Sequence, residues 1–460
     1  MTTNRIGRRS ALQAIGAGLV VAGTAPATGS AGNETATGPT VYTSTYSGNL
    51  IAVDALSGEK RWEQSGPGSP RTSPIVVDGT LYVGSGREQL YALDAATGEE
   101  IWRFDDPSDR VSSSPTVVDG TVYVGANDTD LYAIDAATGE EKWTFERPTA
   151  RVDSSPTVVD GTVYVGSQDF SINAIDAETG EEEWSFFGAD DWVESSPAVY
   201  GDTVYAAAHS DGLYAVDRET GEEVWTVTDS IEGSSSPVIV DDTLYIHGDG
   251  LYALNPETGD EQWSYTEPSS GSLVSPTVAD GLVFTGGDGL YAVDAETGEA
   301  RWELTDIAPG DTSPTVYDGV VYTGVGGSDQ TMYGINAGSG DVEWELETDF
   351  DRYSRGSPTV VTDPEDGDSV DSRVLLGTFN HHETTTTSMD DLPSVSGTPS
   401  GDDSGLFSGS DDQPSGSVAD GGEGDDDDGV PGFGIPAAVT GLGASAYLLK
   451  RRLQNGERDD

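Results

Sequence analysis

SPTVVDGTVYVGSQDFSINAIDAETGEEEW, residues 155–184, is one unit of a pattern that runs through most of this 460-residue chain. It divides into four pieces, SPTVVDG, TVYVGS, INAIDAETG and EEEWSFF, the last running on to Phe187. Each piece alternates apolar and polar residues and is bounded by turn residues, which predicts four short strands. Asp160-Gly161 predicts a tight hairpin turn, and Asp176 to Gly180 closes the next hairpin, with Asp bonding the local backbone and Gly in the left-handed position. Hairpins make the sheet antiparallel. The Ser-Pro pair opens the first strand, where the missing proline N–H costs no ladder bond. No unit has a sustained helical period.

The core of the unit, Ala-x-Asp-x-x-Thr-Gly-x-x-x-Trp, recurs with a period near 40 residues. Its best copies end in Trp102, Trp143, Trp184 and Trp225, and looser copies end in Trp62, Trp263, Trp302 and Trp344. Eight of the nine tryptophans are therefore repeat residues, architecture before they are chemistry. Four strands per unit at this period predict an all-β propeller. The first unit, Val41 to Trp62, lacks a Ser-Pro strand, and the segment Ser357 to Val361 is a Ser-Pro strand lacking its tryptophan. Joined, they complete one blade from both ends and remove the exposed edges of an open stack. The expectation is eight blades within residues 40–382, with either Val41 to Ser44 or Arg373 to Phe379 as second strand of the closing blade.

The repeat resembles the tryptophan-docking repeat of pyrroloquinoline quinone (PQQ) propellers, a family that includes quinoprotein alcohol dehydrogenases and an outer-membrane assembly lipoprotein. The resemblance covers roughly Val41 to Val361 and implies eight blades, each Trp packing against the neighbouring blade. Ser57 and Ser339 depart from the pattern in place of Thr, Asn255 and Asn336 in place of Asp, and Gly334 in place of Ala. For the enzyme branch the resemblance implies PQQ, Ca²⁺ and an Asp base, but also an adjacent-cysteine disulfide against the cofactor. This chain has no cysteine, and no interval between repeat tryptophans leaves room for long substrate loops.

The chain carries 82 acidic and 21 basic residues, a formal charge of -61. The excess is not confined to a tail, since residues 40–382 hold 65 acidic and 14 basic residues. At 1 M salt the Debye length is about 3 Å, so such a surface suits a protein adapted to high salt. Nucleic acid is excluded as a partner by charge. Without cysteine there is no thiolate metal site and no lipid-modified N-terminal Cys.

The ends read as targeting segments. Arg8-Arg9-Ser10-Ala11-Leu12, an Ala/Gly/Val stretch and small residues at Ala25-Pro26-Ala27 and Ser30-Ala31 resemble a twin-arginine export signal over residues 1–31, which implies the export machinery as a partner. Residues 383–430, rich in Thr, Ser, Gly, Pro and Asp, are expected to form a disordered acidic spacer. Residues 431–453 begin with Pro431-Gly432-Phe433, continue as an apolar run and end in Lys450-Arg451-Arg452. This resembles the PGF-CTERM sorting signal of archaeal surface proteins, which implies cleavage by an archaeosortase and lipid attachment. A permanent transmembrane anchor is the alternative. Either places the propeller at the extracellular face of the cell membrane.

In a four-stranded blade the turns after strands one and three share one face, and the connections after strands two and four share the other. The first set is nearly invariant here and the second varies, so the second marks the face free to specialise. Segments entering the channel from that face hold Arg71, Arg110, Arg151, Arg352 and Arg355, consecutive by blade order, with Trp192 next. Two readings stand: a cationic arc that holds an anionic ligand by bidentate arginine contacts, or arginines neutralised by Asp109, Asp153, Glu194 and Asp351. His209 and His247 lie in separate loops, and Asp128, Asp130, Asp211, Asp249 and Asp288 lack EF-hand spacing, so no metal site is assigned. Asn33 and Asn127 head N-x-Thr sequons, candidate glycosylation sites. The functional expectation is a non-catalytic binding or scaffold module for an anionic small ligand or a surface protein. The alternatives are a PQQ- and Ca²⁺-dependent dehydrogenase and an assembly factor for surface or membrane proteins.

Overall fold

The computed structural model describes residues 38–45, 48–65, 72–228, 231, 235–267, 274–309, 312–325, 331–348, 356–362 and 364. All belong to the compact unit Met1–Pro399, and the second unit, Ser400–Asp460, lies outside the described residues. The described strands form eight four-stranded antiparallel sheets, the blades of a propeller. Blade 4, for example, runs from Thr157–Val159 through Thr162–Gly166 and Ile172–Asp176 to Glu182–Phe186. First strands of neighbouring blades touch one another, which places them around the axis.

The two termini share blade 1. Its innermost strand is Thr359–Val361, and Thr40–Ser44 lies beside it in antiparallel register, with Thr40 opposite Val361 and Tyr42 opposite Thr359. Thr40–Ser44 thus takes the second-strand place, and Arg373 to Phe379 lie outside the described residues.

Local chemistry forms each hairpin. Asp160 and Gly161 both have positive φ, 49° and 82°, so the two central residues of this turn are left-handed, as the twist of a tight hairpin requires. In the next hairpin Asp176 Oδ1 accepts the Thr179 N–H at 2.7 Å and the Thr179 hydroxyl at 2.8 Å. Those bonds hold the Asp176 carboxyl below its ordinary pKa. Asn255 works in the same place because a neutral Oδ1 still accepts the Glu257 and Thr258 N–H groups. Ser57 likewise keeps the hydroxyl bond to Asp54.

Three rings of contacts then lock blade to blade. Each repeat tryptophan donates Nε1–H to a carbonyl of the following blade at 2.8–3.1 Å, from Trp62 to Ala95 O round to Trp344 to Ala55 O. The indole lies flat against the glycine of the following Thr-Gly turn. A Cβ on Gly180, whose φ is +73°, would stand 2.7 Å from Trp143 Cδ2, so both conformation and space demand glycine. The motif alanine faces its own tryptophan across the hairpin, as Ala174 does Trp184. In blade 8 a Cβ on Gly334 would lie 2.4 Å from Trp344, which accounts for that departure.

The second ring was not evident in the sequence. Ser73 N–H donates to Ser114 Oγ, and the relay continues through Ser155, Ser196, Ser236, Ser275, Ser313 and Ser357 back to Ser73, at 2.9–3.3 Å. Thus the serine of Ser-Pro lets each blade entry satisfy the backbone donor of the one before it, in a buried position where an unpaired N–H is costly. A third, partial ring runs beside it, in which Thr116, Thr157, Thr277, Thr315 and Thr359 donate to the next Ser-Pro proline carbonyl. The apolar core is correspondingly distributed between blades, as where Trp184 and Tyr164 of blade 4 meet Val199 and Tyr214 of blade 5.

Candidate functional site

The connections after strands two and four pack on one another. Asn127 N–H donates to Arg110 O, Gln168 N–H to Arg151 O and His209 N–H to Trp192 O, at 2.8–2.9 Å. These three channel-entry segments are therefore pinned by the second-to-third-strand loops of their own blades. An aspartate in each of these loops pins the segment further out. Asp128 accepts the Ser108 N–H at 2.6 Å, Asp169 the Thr149 N–H at 2.8 Å and Asp211 the Asp190 N–H at 2.6 Å. Tyr132, Tyr214, Tyr252 and Tyr291 donate their hydroxyls to Asp128, Asp211, Asp249 and Asp288. Burial first and these carboxylates second push the four phenols well above their ordinary pKa.

Asp130 is the outlier. Partial burial, then the charges of Asp128 and Glu146, raise its carboxyl to about 6. A raised folded-state pKa means a stability contribution present below about 4 and lost as pH rises through 6. Asp130→Asn is therefore expected to raise the melting temperature at pH 7.5 and to lose most of that advantage by about pH 4. The gain is roughly 1 °C, because solvent still screens a half-buried group. Thermal unfolding of both proteins at the two pH values checks it, and an equal difference at both pH values would assign the effect to something other than titration.

Of the arc residues, Arg110, Arg151 and Trp192 are described, and all three are exposed on the variable face. Arg71, Arg352, Arg355, Asp351, Asn33 and Pro431-Gly432-Phe433 lie outside the described residues. The acidic neighbours have hydrogen-bond partners. Asp109 accepts the backbone N–H of Arg110, while Gln168 Nε2 bridges Asp153 Oδ2 at 2.8 Å and Glu194 Oε1 at 2.7 Å. Ser112 Oγ links Asn127 Oδ1, at 2.5 Å, to the Asp153 carboxylate, so the Asn127 sequon side chain is part of the same network.

Ten lysines and arginines are described, and seven of them make ion pairs. Arg87, Arg110 and Arg151 make none among the described residues. They occupy the variable face of blades 2, 3 and 4 in succession. Sequence reasoning missed Arg87 because it sits in a second-to-third-strand loop rather than in a channel-entry segment. It also missed Phe170, 40% exposed, and Phe187, 57% exposed under the Arg147 guanidinium at 5.5 Å.

The PQQ_2 family model, described as outer membrane protein assembly factor BamB, matches residues 8–102, 66–265 and 249–370. The chain belongs to this family. A PGF-CTERM motif matches residues 430–452, which makes this PQQ_2-family chain a secreted, membrane-anchored surface protein and a substrate for archaeosortase processing. No curated protein matches it. Among solved structures it is similar to BamB from Moraxella catarrhalis, at 20% identity over 62% of this chain and 88% of that one, with a TM-score of 0.53. A quinohemoprotein alcohol dehydrogenase from Comamonas testosteroni matches at 18% identity over 62% and 68%, TM-score 0.51. The computationally designed Ika8 protein matches at 16% identity over 65% and 94%, TM-score 0.51. These likenesses concern the fold.

The described residues do not fit a calcium-held quinone. No three His, Cys, Asp or Glu side chains among them converge as metal ligands. The loop aspartates that offered oxygen ligands are bound within their own blades, and His247 is buried with Nδ1 3.4 Å from Thr285 Oγ1.

Proposed function

We propose that the chain is a non-catalytic binding propeller, exported by the twin-arginine route and held at the extracellular face of the membrane in high salt. Its binding face is the variable one. One observation carries this reading: in a chain with 82 acidic and 21 basic residues, the three described cations without an ion pair lie on the same face of consecutive blades. Guanidiniums that make no ion pair among the described residues of so acidic a protein suit bidentate contacts to an anionic ligand or to the carboxylates of a surface protein. Membership of a family described as an assembly factor supports a protein as the second kind of occupant.

The test uses envelope vesicles from cells lacking the protein. Labelled wild-type chain in molar KCl is expected to bind saturably, and Arg87→Ala/Arg110→Ala/Arg151→Ala to lower the affinity by about tenfold or more. Unchanged affinity in the triple variant sinks the proposal. A second arm adds PQQ and Ca²⁺ and follows dye-linked alcohol oxidation, where turnover would make the chain an enzyme.

A further inference from the structure

We infer that the variable face of blades 4 and 5 is a subsite for a sugar chain bearing carboxylates, an assignment that rests on the reading of this face as the binding face. Among the described aromatic residues, the large exposed ones are Phe170, Phe187 and Trp192, all on this face. Phe170 and Trp192 are neighbours through a single carbonyl: Ser167 O accepts the N–H of Phe170 and the N–H of Val193, each at 3.1 Å. Trp192 is braced. Its N–H donates to Asp191 Oδ1 at 2.8 Å, and its ring lies on the His209 imidazole, with centroids 6.0 Å apart and a 37° tilt.

Phe170 stands at a left-handed turn position, φ +74°, which Gly48, Glu88 and Thr129 hold in blades 1, 2 and 3 at 91°, 75° and 86°. Two rigid aromatic faces in solvent suit the C–H faces of pyranose rings.

The surroundings select the rest of the ligand. The Ser167–Phe170 turn is bonded to Arg151 through Gln168 N–H to Arg151 O, and to Val193, the residue after Trp192, through Val193 N–H to Ser167 O. Asp153 and Glu194 are held beside the turn by Gln168, and Asp153 also by Ser112; a carboxylate accepts up to about four hydrogen bonds. Sugar hydroxyls are donors that match them. The Arg151 guanidinium is a donor that matches a sugar carboxylate. In molar salt, stacking and contact hydrogen bonds survive where longer-range attraction is screened, which favours this combination over a simple polyanion.

The experiment compares the full chain with Trp192→Ala, Trp192→Phe and Phe170→Ala in molar KCl by isothermal titration, using an oligouronate and a neutral oligosaccharide of equal length as probes. Expected are binding of the oligouronate by wild type, weaker binding of the neutral probe, a loss of about tenfold for either alanine variant, and retention in Trp192→Phe. No binding of the oligouronate by wild type overturns the inference, as does equal affinity for the neutral probe. If Arg110→Ala/Arg151→Ala abolishes binding while both aromatic-to-alanine variants keep it, the face is an anion site only: the sugar assignment falls and the proposed function stands.

Discussion

Trp143→Ala is expected to destabilise the propeller by about 3–5 kcal/mol, the usual cost of emptying a buried tryptophan site. The indole fills the junction between blades 3 and 4. It donates to Ala177 O at 3.0 Å, lies 5.8 Å from the Tyr123 ring and covers Gly180 so closely that no Cβ fits there. The neighbourhood has little means of collapsing into the void, because Gly180 has no side chain and Ala133, directly across the hairpin, has only a methyl group. Trp143→Phe keeps most of the packing and loses the N–H bond; Tyr123 still donates to Ala177 O at 3.2 Å, so that carbonyl is not stranded. Its cost is expected to be about 1–2 kcal/mol. Denaturant unfolding at fixed salt measures both, and a Trp143→Ala cost under about 1 kcal/mol would show that the junction does not depend on the indole.

A chain ending at Thr348 is expected to lose its cooperative unfolding transition, while one ending at Pro364 keeps it. The shorter chain lacks the innermost strand of blade 1, with its buried Val360 and Val361. It also breaks the serine relay at Ser313 to Ser357 and at Ser357 to Ser73, together with the Thr315 and Thr359 bonds to proline carbonyls. Four hydrogen bonds at about 1 kcal/mol and two valines at about 2 kcal/mol each approach the 5–15 kcal/mol that holds a whole domain. The truncation also leaves Thr40–Ser44 as an open sheet edge, a template for association. Size-exclusion chromatography and thermal scans distinguish the outcomes. A monomeric short chain melting within about 2 °C of the longer one, well under the shift such a loss predicts, would mean that closure contributes little.

The turn chemistry was legible because it is local. Asp176 bonds Thr179 three residues away, and Gly180 reveals its left-handed conformation by being glycine. Blade number was legible because eight copies of one motif leave few architectures, and closure because the two incomplete units complement each other. The serine relay was harder to see. Ser114 meets Ser155 41 residues on, and nothing near either serine in sequence distinguishes a blade-to-blade acceptor from an ordinary strand-entry residue. At the site, Arg110, Arg151 and Trp192 could be chosen from the irregular segments, but their availability could not. Gln168 reaches the carboxylates of both Asp153 and Glu194 from another loop, which spacing along the chain does not reveal.

The sequence by itself determined the repeat, the hairpins, the eight-bladed closure and the division into one regular and one variable face, all of which follow from residues within a few positions of each other or from copy number. Only the tertiary structure decided which described cations form no ion pair among the described residues, why Gly334 replaces alanine opposite Trp344, and that Phe170 and Val193, the residue after Trp192, donate to one carbonyl. Those facts depend on which side chains from different blades reach the same few ångströms, and sequence spacing does not encode that.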